Sequence, residues 1–246
     1  MQEKINQAII LSAGLGTRLR PITDNIPKVM VPIVGKPILE WHIEQFKKHG
    51  VSEFFINLHY LPDAIKNYFG DGTKWDVKIN YSLELPEILG TAGGIKQFEP
   101  YLAENFFVMY GDMFSLVDYS KMAEEFFKKP DAIGMMIVGR NDHPWDSDLV
   151  EVDEDLRFLK IHTKPHGYNE LLENMRTLDA GYIFNKKILK YIPSGIPFDL
   201  DRQLLPQILA KGEKFYGYET NDYLYDIGTM ERYLAVEEYI QNLTKE

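Results

Sequence analysis

Strand-length apolar runs alternate with segments of helical period along nearly the whole chain, and this alternation restricts the fold more than any other feature. Runs near 7–12, 53–58, 78–82, 105–110, 132–138, 148–153 and 178–184 read as strands. Between them, helical patterns start at Pro37 and stop before Gly50, and recur near 61–69, 119–128, 185–192, 200–211 and 229–243. Pro37 suits a first helical turn, where its missing N–H costs nothing, and Lys47, Lys48 and His49 suit the dipole at the other end. The pattern is that of an α/β protein whose central sheet is mainly parallel and covered on both faces.

The rhythm breaks from about 140 to 182, where Arg140-Asn141-Asp142-His143-Pro144-Trp145 and Lys164-Pro165-His166-Gly167 are turn chemistry. This region is expected to form a small substrate-facing lobe. No solenoid repeat or disordered linker interrupts the 246 residues, so a single domain over 1–246 is expected, its parts dividing near 139 and 140. With 27 Lys and Arg against 37 Asp and Glu, the net charge of −10 argues against a nucleic-acid surface. The absence of cysteine excludes disulfides, thiolate metal sites and a cysteine nucleophile, and points to a cytoplasmic protein. The stretch Ala8 to Leu11 is too short for a signal peptide, and Ala132 to Gly139 is too short to span a bilayer, so no membrane partner is expected.

Leu11-Ser12-Ala13-Gly14-Leu15-Gly16-Thr17-Arg18-Leu19 follows the first apolar run directly. Glycines there let backbone N–H groups approach an anion at the mouth of the sheet. Leu19 stands where a dinucleotide loop needs its third glycine, and the Gly-Lys-Ser/Thr of a Walker loop is absent. By itself the G-x-G is equally a tight strand-to-helix turn. Its company is more specific: Pro27-Lys28-Val29-Met30-Val31-Pro32, Gly35-Lys36-Pro37, Leu89-Gly90-Thr91-Ala92-Gly93-Gly94, Gly111-Asp112, Lys164-Pro165, Ala180-Gly181 and Asp226-Ile227-Gly228-Thr229. In this order the chain strongly resembles the sugar-1-phosphate nucleotidyltransferases.

The resemblance implies a Rossmann-like nucleotidyltransferase domain that binds a nucleoside triphosphate and a sugar 1-phosphate and yields a nucleoside-diphosphate sugar and pyrophosphate. A phosphate monoester is largely dianionic at neutral pH, so the nucleophile needs no protein base. The work is to hold two anions in line and neutralise charge. By resemblance, Arg18 faces the β and γ phosphates, Lys28 lies near the α-phosphate and Lys164 grips the sugar phosphate. Asp112 and Asp226 resemble the two metal aspartates, whose hard oxygens suit Mg²⁺. Leu11, Ser12, Ala13, Gly14, Gly16, Thr17, Glu87, Gly90, Thr91, Ala92 and Gly93 would complete the nucleotide site. Asp148, Glu151, Thr163 and Gly181 would join Lys164 around the sugar phosphate.

A carboxylate at Glu87 is matched to guanine N1 and N2, which points to GTP over UTP or dTTP. The segments 140–150 and 164–166 resemble guanylyltransferases acting on mannose or heptose 1-phosphates. Many relatives carry Glu-Lys-Pro where this chain has Thr163-Lys164-Pro165, which weakens the transfer of sugar specificity. Uridylyl or thymidylyl transfer to another hexose 1-phosphate stays open, as does a non-catalytic homologue that binds a nucleoside-diphosphate sugar. A monomer or a homodimer is expected, and at 246 residues no additional C-terminal domain of the kind some relatives carry is expected.

Overall fold

The computed structural model describes residues 4–140 and 144–243. In chain order its strands are β1 (Gln7–Leu11), β2 (Pro32–Ile33), β3 (Lys36–Pro37), β4 (Glu53–Leu58), β5 (Lys78–Leu83), β6 (Asn105–Tyr110), β7 (Met113–Ser115), β8 (Ala132–Gly139), β9 (Leu149–Val152), β10 (Phe158–His162), β11 (Met175–Asn185), β12 (Lys214–Glu219) and β13 (Leu224–Asp226). Its helices are α1 (Ile38–Lys48), α2 (Pro62–Phe69), α3 (Gly90–Lys96), α4 (Tyr119–Phe127), α5 (Leu205–Ala210) and α6 (Met230–Leu243). The fold is α/β with a mainly parallel central sheet. Two compact units interleave in sequence. One comprises Lys4–Ile88, Met109–Tyr119 and the described residues from Asp222 onward; the other comprises Leu89–Val108 and Ser120–Asn221.

In the first unit β1, β4 and β5 run parallel, with Leu11 opposite Asn57 and Leu58 opposite Leu83. Ala8, Ile9, Ile10, Phe54, Phe55 and Ile56 are all buried, as the uninterrupted apolar runs require of strands covered on both faces. On α1, Ile38, Leu39, His42, Ile43 and Phe46 are buried at helical spacing, and Phe46 stacks on Tyr119 with centroids 4.0 Å apart. The helix ends in Lys47 and Lys48 as the punctuation in the sequence requires, but it begins one residue later than expected, at Ile38, because Pro37 is extended and paired with Pro32 in β3. Short strands β7 and β13 pair antiparallel, setting Met113 opposite Asp226.

The second unit is organised by the eleven-residue strand β11. Strands β6, β8 and β9 each run antiparallel to it, and so parallel to one another in direction, while β12 joins β8 in parallel and β10 joins β9 antiparallel. The β11–β8 ladder shifts register between Leu178 and Tyr182, and Gly181 adopts φ +102° there, a bulge of the kind that re-aims side chains next to functional sites. The irregular region from 144 to 182 is therefore built as β9, β10 and the start of β11, while Asn141, Asp142 and His143 lie outside the described residues.

Several elements depart from the sequence reading. The sequence pattern marks no strand at β2, β3, β7, β10 or β12: each is short, and β7 and β12 pair with strands remote in the chain, β13 and β8. Helix α3 has no counterpart among the helical patterns of the sequence, since Gly90, Gly93 and Gly94 have poor helical propensity. The patterns near 185–192 and 200–211 form a 3₁₀ segment over Lys186–Tyr191 and a π-turn over Leu200–Leu204 before α5. The π-turn runs directly into α5, where Pro206 lacks the N–H that an unbroken α-helix from 200 would use. Among the described residues, no helix is long and apolar enough to cross a membrane.

Candidate active site

The glycine loop leaves the end of β1 and turns back at Gly16, whose φ of +66° is in the left-handed region. A side chain there would press on Lys28 Cβ and Thr23 Cγ2, both 3.2 Å from the position of its Cβ. Buried Thr23 fixes the turn by donating its hydroxyl to Gly16 O at 2.7 Å. Gly14, Thr17 and Arg18 are exposed, whereas Ser12 and Ala13 are buried. Ser12 N–H donates to Asn57 Oδ1 at 2.7 Å, and Asn57 Nδ2 donates to Glu84 Oε1 at 2.7 Å.

Lys28 begins a short 3₁₀ turn after Pro27 and is buried, with its Nζ 2.6 Å from Asp112 Oδ2 and 4.0 Å from Asp226 Oδ1. Asp112 follows Gly111, where a Cβ would lie 2.6 Å from Val29 Cγ1 and 2.7 Å from Leu11 O, so only glycine lets the backbone pass so close to β1. Asp226 ends β13, and Ile227 N–H donates to Asp112 O at 3.1 Å. The β7–β13 pairing thus brings two carboxylates distant in sequence within reach of one ammonium. Asp226 is engaged on both oxygens: Oδ1 accepts from Gly228 N–H and Oδ2 from Arg232 Nη1, each at 2.5 Å. Arg18 passes over Gly228, where a Cβ would lie 3.2 Å from its Nη2.

Among the described residues no group of three His, Asp or Glu side chains forms a metal cage. Two hard carboxylates are nonetheless a donor set that fits Mg²⁺, which takes one or two carboxylates together with substrate phosphate oxygens and water. His42 lies behind this site. Burial pulls its pKa down to about 4, against the opposing pull of the Gly111 carbonyl, the Asp112 charge and the Met113 carbonyl, so its ring is neutral at pH 7.

Glu87, in the same unit, is exposed. In the other unit, the N–H groups of Ala92 and Gly93 donate to Phe198 O at 3.0 and 3.1 Å, and Thr91 Oγ1 accepts from Leu200 N–H at 2.7 Å. Gly90, at φ +72°, leaves 2.8 Å between its Cβ position and Phe198 O. The first turn of α3 is therefore a dock for the 198–200 segment, a role invisible in the local sequence.

The residues assigned to the sugar phosphate fall into three groups. Asp148 Oδ1 accepts from Lys164 N–H at 2.7 Å, and Lys164 Nζ donates to Asp146 O at 2.6 Å. His166 Nε2 lies 2.8 Å from Ser147 O and closes the same clasp, beside exposed Thr163. Glu151 Oε1 lies 2.6 Å from His162 Nε2. Gly181 and Asp179 sit in the β11 bulge, and burial pushes the Asp179 carboxyl up to about 6.

Three functional candidates escaped the sequence reading. Arg232 had a detectable signal, because a cation in the first turn of a helix opposes the macrodipole unless an acid holds it. Asn57 is the one polar residue in the run from Phe54 to Leu58, and Glu84 is a carboxylate with no solvent exposure.

A nucleotidyl transferase family model matches residues 7–242. A UTP–glucose-1-phosphate uridylyltransferase from Synechocystis is 33% identical over 240 residues, covering 92% of this chain and 61% of the relative, so the chain spans under two thirds of that relative's length. A D-glycero-alpha-D-manno-heptose 1-phosphate guanylyltransferase from Aneurinibacillus thermoaerophilus is 30% identical over 238 residues, covering 96% of this chain and 99% of the relative. Among solved structures, HddC from Yersinia pseudotuberculosis complexed with GMP-PN is 28% identical with a TM-score of 0.78, covering 96% of this chain and 100% of that one.

Proposed function

The chain belongs to the nucleotidyl transferase family, and on that premise we propose that it transfers a nucleotidyl group from GTP to a mannose- or heptose-type sugar 1-phosphate. The observation that carries this reading is the Lys28 ammonium set between Asp112 and Asp226 below the glycine loop. In the reaction, a sugar-phosphate oxygen attacks the α-phosphorus, the bond to the β-phosphate oxygen breaks, and pyrophosphate leaves with that electron pair. Lys28 holds the α-phosphate, and Arg18, exposed at the rim of the loop, steadies the departing charge with its forked guanidinium. The loop residues Leu11 to Thr17 cradle the phosphates, with Glu87 on the nucleobase. Lys164 leaves Asp146 to grip the sugar phosphate, with Asp148, Glu151, Thr163 and Gly181 shaping that subsite. Asp112 and Asp226 would hold Mg²⁺, which when bound supplies positive charge to the phosphates.

The guanylyltransferase relative covered almost end to end supports GTP and a heptose-type acceptor. The Synechocystis relative supports a second reading, with UTP and glucose 1-phosphate. Pyrophosphate release measured with four nucleoside triphosphates against a panel of sugar 1-phosphates separates them. GTP with a manno-configured acceptor should give the highest kcat/KM, and a UTP–glucose optimum would replace the first reading by the second. Glu87→Gln should then lower the GTP-to-UTP ratio of kcat/KM by about five- to a hundredfold, because one acceptor becomes an N–H₂ facing a guanine donor. An unchanged ratio would place Glu87 outside base recognition.

A further inference from the structure

The floor of the glycine loop is a buried relay of three polar groups. Ser12 N–H, Asn57 and Glu84 are joined by two hydrogen bonds of 2.7 Å, and all three residues are almost or wholly inaccessible to solvent. Polarity fixes the Asn57 amide: its oxygen must meet the Ser12 N–H, so its NH₂ must meet the carboxylate. Glu84 is itself anchored to the chain around it, donating its N–H to Leu58 O at 2.9 Å and offering its carbonyl to His59 Nδ1 at 2.8 Å. Asn57 stands opposite Leu11 in the β1–β4 ladder and opposite Ser82 in the β4–β5 ladder, so the relay crosses three strands at their C-terminal ends. The carboxylate at its end makes the Asn57–Glu84 bond charge-assisted and polarises the Asn57 amide toward the Ser12 N–H, in a medium where an unmatched group is costly.

We propose that Asn57 is a positioning residue that sets the glycine loop from the segment bearing Glu84 and Glu87, holding both ends of the nucleotide site through one relay. This rests on the reading of that loop as the triphosphate cradle. Ser12 opens the loop, and Glu84 lies three residues before the proposed base reader Glu87, so a change at Asn57 displaces both. Loop placement enters only into nucleotide binding, so the sugar phosphate, whose proposed residues lie in the other unit, is unaffected.

The test uses three variants of the full chain. Asn57→Asp still accepts from Ser12 N–H but sets two carboxylates face to face. Glu84→Gln keeps an acceptor for the Asn57 NH₂. The double variant Asn57→Asp/Glu84→Gln restores every bond with the charge moved one link along. Asn57→Asp should raise the KM for the nucleoside triphosphate about tenfold and narrow the GTP-to-UTP preference, with the sugar 1-phosphate KM within about twofold of wild type. Glu84→Gln should be mild, and the double variant should recover most of the nucleotide KM. The same order should appear in titrations with a fluorescent guanine nucleotide, without catalysis. Equal binding by wild type and Asn57→Asp would overturn the proposal. So would a rise in both KM values together with a lowered Tm that the double variant does not reverse, because that is a packing defect. A wild-type protein that binds no nucleotide would overturn the cradle reading itself and the relay's role with it, an outcome distinct from the other two.

Discussion

At the scale of single residues, the site is an arrangement of opposed charges. Lys28 and Arg232 neutralise Asp112 and Asp226, and because Lys28 is buried, its charge is held where solvent screens it weakly. Asp112→Asn or Asp226→Asn keeps the side-chain size and removes a charge. Each should lower turnover at least about a hundredfold in a pyrophosphate-release assay, on the order of losing one strong electrostatic contact in a reaction site. Activity that survives in excess chelator would refute the metal role. Asp179 supports a pH prediction. Its folded pKa of about 6 lies above the 3.8 of an unperturbed carboxyl. Below the lower value both states are protonated and the group costs nothing. As pH rises through the interval the unfolded chain releases its proton first, so Asp179 progressively destabilises the fold and the cost persists above the folded pKa. Urea unfolding should show Asp179→Asn gaining stability relative to wild type between pH 4 and pH 7; a difference independent of pH would refute the assignment.

At the scale of elements, function depends on places where strands approach too closely for a side chain. Gly111 sits between the end of β6 and the start of β7, and its Cβ position is blocked by the carbonyl of Leu11 and the side chain of Val29. Gly111→Ala should destabilise the protein by about 1–3 kcal/mol, read as a lower urea midpoint, because backbone cannot yield as a flexible side chain does. Catalysis should fall further than stability, since Asp112 is the next residue. A variant as stable and active as wild type would show that the turn relaxes freely. The docking of α3 on Phe198 O, where Gly90 and Gly93 leave no room for a Cβ, is a device of the same kind. Its glycines were legible as glycines, but the backbone that each one meets comes from a segment remote in sequence.

At the scale of the molecule, the two compact units carry different parts of the proposed chemistry. One holds the glycine loop, Arg18, Lys28, Asp112 and Asp226; the other holds Asp148, Glu151, Lys164 and Gly181. Arg18→Ala should therefore raise mainly the KM for the nucleoside triphosphate and Lys164→Ala mainly that for the sugar phosphate, each measured with the other substrate saturating. Equal effects of both variants on the same substrate would remove this division of roles. The sequence by itself determined what depends on near neighbours: the apolar strands β1, β4 and β5, the punctuated helix α1, the glycine loop and the identity of the charged residues in its motifs. Local periodicity and backbone preference are written within a few residues of where they act. Only the tertiary structure decided which of those charges meet. The pairing of β7 with β13 sets Asp112 beside Asp226, the start of α6 turns Arg232 onto Asp226, and the β1–β4 register puts Asn57 under Ser12. Hydrogen-bond register and burial fix these meetings across long stretches of chain, and no local pattern encodes them.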